Sequence, residues 1–204
     1  MAKPLEAPAR PLPAADHRWA WTPADGTAAP WYGIYHRDRF TPNGATFRSF
    51  GPLAQFDHHS ASFAAPAVDA DGRSVIYLAV DLATSACEAF GEAGVAPLCS
   101  NWRVARLRPL REIDTYNLDQ PGAAMAIGAL PALASGNENR ELTQQWARAI
   151  YEDQPATAKV EGTHYRSAYR GGRGRRLLLK ALQGTGIPVT PVPDADCVKC
   201  RNSL

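Results

Sequence analysis

One domain that mixes strands with helices is the fold class the chain predicts, and three stretches predict it. Arg73 to Val80 (RSVIYLAV) is a nearly continuous apolar run behind an Asp71-Gly72 turn signal, as expected of a strand buried on both faces. Directly after it, Asp81 can cap a short helix over Leu82 to Phe90. Between Asn137 and Tyr151, Leu142, Trp146, Ala149 and Ile150 recur at helical spacing, which marks a core-facing amphipathic helix. With 204 residues, 45% hydrophobic and 21% charged, the chain is long enough for one well-packed domain and marginal for two.

Taken in order, residues 1–30 form an arm with six prolines, many alanines and no sustained hydrophobic period. Such a segment buries too little surface to offset the entropy of ordering it, apart from Trp19 and Trp21, which can pin it to the domain. Trp31 to Tyr35 reads as a first strand of bulky residues. Arg37 to Ala67, rich in Pro, Gly, Asn, Phe and His, reads mainly as loop. After the buried strand and its helix, Gly91 is placed to end that helix in a left-handed conformation. Trp102 to Leu107 alternates as a half-buried strand, and Arg111 to Asp114 extends or follows it. The 137–151 helix takes Asn137 or Asn139 as its cap, and Pro155 breaks it. Gly162 to Tyr169 follows, then GGRGRR, then an apolar run from Leu177 to Leu182 of strand or helix type. The domain is expected over 31–182, with 183–204 as a C-terminal tail.

A formal charge of +2 is too mild to demand nucleic acid as a partner. No apolar run approaches the roughly 20 residues of a membrane-spanning helix, and the N-terminus lacks the pattern of a leader. No membrane partner is expected, and a cytoplasmic protein is. Four cysteines, Cys87, Cys99, Cys197 and Cys200, are too few for a disulfide scaffold, so free thiols are expected. Cys197-x-x-Cys200 has zinc or redox spacing, but no second pair completes a tetrahedral site, and no metal is expected.

Tyr77 on the buried strand and Glu88 in the following helix stand eleven residues apart in IYLAVDLATSACEAF. Further segments are FRSFGPLAQFDHH (47–59), a Gln144-x-Trp146-x-x-x-x-Tyr151 helix, and EGTHYRSAY (161–169). In this order the four segments resemble the RES-domain family, over about residues 31–182. The resemblance implies an α+β fold similar to ADP-ribosyltransferases. It also implies an activity that consumes NAD, commonly as the toxin of a toxin–antitoxin pair, so NAD or a related nucleotide and an antitoxin protein are the expected partners. Homodimerisation is compatible with the chain but has no signal of its own.

Cleaving the nicotinamide–ribose bond passes through an oxocarbenium-like sugar, as glycoside hydrolysis does. A carboxylate beside the ribose stabilises that charge, and Glu88 is the candidate, against the plain reading of an exposed helix residue. Tyr77 can stack its ring on nicotinamide or ribose while its hydroxyl reaches a polar partner; the alternative is a core tyrosine. Ser167 matches the family serine and can bind the nicotinamide amide or a ribose hydroxyl, or be a turn residue. His58 and His59 sit in the loop expected to line the cleft, where they can bind phosphate or shuttle protons; a surface pair is the alternative.

Two positions depart from the family pattern. Gly33 stands where the first strand usually carries an arginine, and Gln55 where one precedes Phe-Asp-His-His. Arginine suits pyrophosphate because its planar fork donates two parallel charged hydrogen bonds. Arg37, Arg39 or Arg48 can supply the missing charge, and Arg48 is the best placed. Otherwise the pocket serves an altered nucleotide substrate or ADP-ribosyl transfer, or the domain is an inactive binding module. The basic stretch Arg166, Arg170, Arg173, Arg175, Arg176 and Lys180 has the composition of a phosphate-gripping surface, but a solvated turn or a surface for NAD phosphates or an antitoxin is preferred to nucleic acid.

Overall fold

The computed structural model describes residues 4–22, 30–91, 93–96, 99–135, 139–169, 175–181 and 189–191, the last two as strand backbone. Asn137, Arg170, Arg173, Leu182, Cys197 and Cys200 lie outside the described residues. The elements run β1 (Arg18–Trp21), β2 (Trp31–His36), β3 (Phe50–Gly51), β4 (Ala67–Val68), β5 (Ser74–Ala79), α1 (Leu82–Phe90), β6 (Trp102–Pro109), β7 (Ile113–Asn117), α2 (Ala123–Ala126), α3 (Ala132–Ser135), α4 (Arg140–Asp153), β8 (Gly162–Arg166), β9 (Arg175–Ala181) and β10 (Val189–Pro191). The fold is α+β: a mainly antiparallel sheet in the order β1-β7-β8-β9-β5-β2-β6-β10, with helices packed against it and a small β3-β4 ladder beside it. Among the described residues, only β7 and β8 pair in parallel.

The strand read as buried on both faces is so. Val75 and Tyr77 of β5 pack into a cluster with Phe56, Tyr116, Leu133, Trp146 and Ile150, while Ile76 and Leu78 pack into a second one with Trp21, Trp31, Ala105, Leu107 and Ile113. The first cluster is the layer beneath α4, whose Trp146, Ala149 and Ile150 are buried and whose Leu142 packs against the same cluster. Asn139 is the cap: its side-chain oxygen accepts from the Glu141 N–H at 2.9 Å. Asp81 caps α1 in the same way, accepting from the Thr84 N–H at 2.7 Å. Strand β9 resolves the open choice for the 177–182 run in favour of strand.

Four expectations change. Gly91 is right-handed (φ −60) and not left-handed, and its N–H still closes a helical bond to Cys87 O at 2.7 Å. The left-handed residue is Gly94, at φ +67. What requires glycine at 91 is a close approach: a Cβ there would stand 2.5 Å from Cγ of Tyr169. Residues 37–67 are mainly loop, as expected, but carry β3 and the start of β4, and Arg48 forms an isolated bridge with Val75. Val189–Pro191, read as tail, pairs with β6.

The fourth change concerns the N-terminal segment, which is packed far more tightly than its composition suggests. Strand β1 extends the sheet against β7. Trp19 and Trp21 stack on Trp31 with ring centroids 5.6 Å away in each case. Leu5 and Leu12 are buried in the cluster beneath α4. The segment is held by single anchors: Trp146 donates its indole N–H to Glu6 O at 2.9 Å, and the Leu12 N–H donates to Asp153 at 2.9 Å. Isolated anchors leave no hydrophobic period, which is why the composition reads as an arm.

The feature that positions the site is a gap in the sheet. Strand β2 pairs with β6 along its length, from Trp31–Leu107 to His36–Trp102, yet meets β5 only at Tyr32–Ala79. At the other end of β5, Arg48 takes the place of β2, exchanging backbone hydrogen bonds of 2.8 and 3.0 Å with Val75. Between these two contacts Ile34 and Tyr77 face the same cavities across the opening.

Candidate active-site cleft

Three cavities share lining residues at this opening, Tyr77 being common to all of them. One, of about 290 Å³, is lined by Arg48, Gln55, Tyr77, Glu88, Arg140 and Tyr169, together with Leu53 and Ala54. A smaller one of about 160 Å³ continues between Ile34, Tyr77, Ser85 and Glu88. A third, also about 290 Å³, lies behind the sheet opening under the 38–46 loop and shares Arg48 and Tyr77 with the first.

Glu88 reaches the cleft from the last turn of α1 and is half-buried. Its Oε1 accepts from the Ser167 hydroxyl at 2.6 Å and from the Ala168 N–H at 3.0 Å, and the Ser167 oxygen in turn accepts from the Tyr169 N–H at 3.3 Å. The carboxylate therefore latches the strand-exit segment 167–169 to α1. Ser167, 79 positions distant in sequence, acts on the cleft through Glu88. Gly91, one turn further on, gives the Tyr169 ring its seat on the same helix end.

Tyr77 presents its ring to all three cavities. Its hydroxyl donates into the protein, within reach of Gln55 O at 2.6 Å and of the Asp57 carboxylate. Asp57 is wholly buried and gathers the cleft wall around itself. The Leu53 and Ala54 N–H groups donate to its Oδ2 at 2.6 and 3.0 Å, and one nitrogen of the Arg48 guanidinium lies 2.9 and 2.7 Å from its two oxygens. The tight 53–57 turn that makes this possible places Phe56 at φ 58. A left-handed non-glycine residue costs about 1 to 3 kcal/mol and persists only where its surroundings over-determine it. Here the Phe56 ring is fully buried against Tyr165, 4.2 Å between centroids.

The arginine-for-phosphate expectation is modified by this geometry. Arg48 lines the cleft, as expected, but its guanidinium is tied to the buried Asp57 behind the wall and to Phe50 O, so the cation that faces the cavity is already paired. Gly33 lines the third cavity; a Cβ there would stand 3.2 Å from Leu78 Cδ2, so a side chain at this position requires Leu78 to give way by a few tenths of an ångström. Gln55 lines the cavity, and its carbonyl receives the Tyr77 hydroxyl.

His58 and His59 do not line the cleft. Both are fully buried. His58 packs edge-on to Tyr151 at 4.4 Å, and its carbonyl accepts from Arg73 at 2.9 Å. His59 lies 3.3 Å from Arg48 O through Nε2, and a Cβ on Gly51 would stand 2.6 Å from its Nδ1. Burial pushes the His59 imidazole below its usual range and the Arg48 charge adds to this, against the opposing pull of Asp57 and Asp69. The pair supports the wall from behind.

Three wall residues carried no assigned role in the sequence. Asp57 belongs to a recognisable segment, but its work depends on a turn that only tertiary packing imposes. Arg140, the first residue of α4, looks like any exposed helix arginine. Tyr169 closes the EGTHYRSAY segment, where nothing local gives it a role. Among the described residues no group of three or more His, Cys, Asp or Glu is arranged to hold a metal ion, and no helix is long and apolar enough to cross a membrane. Comparison with protein-family models, curated proteins and solved structures finds no match to the chain.

Proposed function

We propose that the cleft binds NAD and breaks its nicotinamide–ribose bond, as the resemblance to RES-domain proteins and their ADP-ribosyltransferase-like fold implies. The observation that carries the reading is convergence: Tyr77 and Glu88 line the same cavities, and Ser167 fixes the Glu88 carboxylate from 79 residues away. A buried turn or a solvated helix face gives no reason for a carboxylate, two tyrosine rings and two arginines to share one cavity wall.

In this reading the nicotinamide ring lies against Tyr77, with Tyr169 at the rim. The bond from the nicotinamide nitrogen to ribose C1′ breaks with its electron pair leaving on nicotinamide. The ribosyl cation that remains is stabilised by the Glu88 carboxylate, held in one orientation by Ser167 and the Ala168 N–H. A water adds to C1′ and gives up a proton to solvent, completing hydrolysis; a phosphate or protein acceptor adds at the same carbon in the transferase variant. The Tyr77 hydroxyl is committed to Gln55 O and Asp57, so Tyr77 works through its ring.

The test is nicotinamide release from NAD by wild type beside Glu88→Gln. The amide keeps an oxygen for Ser167 and the Ala168 N–H but removes the charge. A drop of about 100-fold in release, with an unchanged melting temperature, is the expected result for loss of one electrostatic contact to the transition state. Equal rates in the two proteins, or no release by wild type, would overturn the reading.

A further inference from the structure

We propose that Cys99, His36 and Asp38 form a nucleophilic thiol site that exchanges with the disulfide of a small thiol compound. Strands β2 and β6 bring the three together. His36 is the cross-strand partner of Trp102, and the pairing runs on through the Arg37 N–H, which donates to Asn101 O at 2.8 Å. The turn before β6 is closed by the Trp102 N–H on Cys99 O at 3.2 Å and held by the Arg103 guanidinium, which donates to Ser100 O and Trp102 O. Cys99 is thereby set beside an imidazole 63 positions away in sequence, its Sγ 3.7 Å from Nε2. On the other side of that ring, Nδ1 lies 3.9 Å from Asp38 Oδ2. Nucleophile, base and a carboxylate behind the base thus follow one another, the order in which an activated nucleophile is built.

The surroundings of the imidazole suit it to take a proton from the thiol. Asp38 beside Nδ1 favours the tautomer that carries its hydrogen there, which leaves the Nε2 lone pair for Cys99. Asp38 Oδ1 accepts from the Phe40 and Thr41 N–H groups at 2.8 Å each, so the carboxylate is fixed with Oδ2 toward the ring. Trp102 meets the imidazole edge-on at 5.3 Å and is itself backed by Phe90 at 4.9 Å. Cys99 is exposed, as attack on an external disulfide requires. In the exchange the thiol proton moves to Nε2 while Sγ attacks one sulfur of the disulfide. The S–S bond breaks with its electron pair leaving on the other sulfur, which takes the proton back from the imidazole. Cys99 is oxidised to a mixed disulfide, one half of the compound is reduced to a thiol, and Asp38 balances the imidazolium formed in between. Acyl transfer would also need donors aimed at an oxyanion, whereas exchange needs only the accessible sulfur and the base that these residues supply.

The experiment incubates the full chain with oxidised glutathione at pH 7 and follows the mixed disulfide at each cysteine by peptide mass spectrometry, in wild type, His36→Ala and Asp38→Asn, with circular dichroism melts as the fold control. Removing bulk beside an exposed thiol cannot by itself slow attack, so a slower Cys99 in His36→Ala reads the loss of the base. The expected fall is about tenfold, less than the roughly 100-fold or more of an enclosed general base because solvent also reaches this thiol. Free imidazole added to His36→Ala should restore the rate at Cys99, which a purely structural role for His36 would not allow. Asp38→Asn keeps an oxygen for the two N–H groups and loses the charge, and a fall of about threefold is expected of an exposed charge contact. If His36→Ala fails to fold, His36→Gln makes the same rate comparison. No mixed disulfide at Cys99 in wild type, an unchanged rate in a folded His36 variant, or a fall in His36→Ala that imidazole leaves in place overturns the proposal. None of these outcomes bears on the NAD reading, since Tyr77 and Glu88 take no part in the exchange.

Discussion

Two of the molecule's arginine–carboxylate clusters differ in what surrounds the carboxylate. At the C-terminal end of α4, Arg10 and Arg73 converge on Glu152 and Asp153, whose side chains are 26% and 10% exposed. At the cleft, Arg48 meets Asp57, whose side chain is 0% exposed. The first cluster staples the N-terminal segment to a helix and faces solvent. The second spends a buried charge, which is expensive to desolvate and repaid only when every lone pair finds a donor. Asp57 finds them in two backbone N–H groups, a guanidinium and a phenol, and the groups so ordered line a cavity. Scaffold and site are thus separated by the burial of the anion and by where its partners point.

Removing each anchor sharpens that contrast, and Asp57→Ala is expected to have the largest effect. It strips the acceptor from Arg48, Tyr77 and two N–H groups at once, and breaking a buried pair typically costs about 3 to 5 kcal/mol. Arg48 is 31% exposed and recovers some hydration, so about 3 kcal/mol is expected in denaturant unfolding. NAD affinity should fall as well, because the Tyr77 ring and Arg48 lose their common anchor. A loss below about 1 kcal/mol would mean that Asp57 is not the hub of the wall.

How much of this was legible in the sequence follows from the same physics. Strand β5 was legible because burial on both faces makes nearly every position apolar, and Tyr77 then stands out as its one aromatic residue. Helix α4 was legible from its period and from Asn139 as one of two candidate caps. The buried places of His58 and His59 were not, because an adjacent histidine pair in a loop carries no period from which burial can be read. Nor was the gap between β2 and β5, since register and divergence depend on the Arg48–Val75 bridge and on Gly44 seating a loop. Leu5 and Leu12 anchor the N-terminal segment singly into one core cluster and Trp21 into the other, a pattern with no local signature.

Arg10→Ala should have a smaller effect than Asp57→Ala. Exposed pairs contribute about 0.2 to 1 kcal/mol and are screened by salt, so the loss should shrink between 50 mM and 1 M salt, whereas that of Asp57→Ala should not. The hydrogen bonds from Arg10 hold the Asp153 carboxyl below its usual range, with burial opposing. A carboxyl whose folded pKa is lowered contributes stability that is full above the unfolded value, about 4, and is lost as pH falls through the folded one. Wild type should therefore lose stability below about pH 4, and Arg10→Ala should lose less of it there. Parallel pH profiles for the two proteins, or a salt-independent loss, would contradict the staple.

His59 carries the smallest expected effect and the one that joins the two halves of the contrast, because it lies behind the wall that Asp57 organises. Its imidazole, lowered chiefly by burial, is disfavoured as a cation in the folded protein. The unfolded chain takes up that proton at its ordinary value of about 6.5, so folded stability is full above that pH and falls as pH drops below it. One proton limits the slope to about 1.4 kcal/mol per pH unit. His59→Gln retains an N–H for Arg48 O but cannot titrate, so the difference between the two stability profiles should grow from pH 7 to pH 5.5. The Glu88→Gln protein, by contrast, should follow the wild-type profile over that range, since the imidazole sits behind the wall and not on the latch. A constant difference between His59→Gln and wild type would show that the imidazole accepts its proton without disturbing the wall, and that the cleft tolerates a charge immediately behind Arg48.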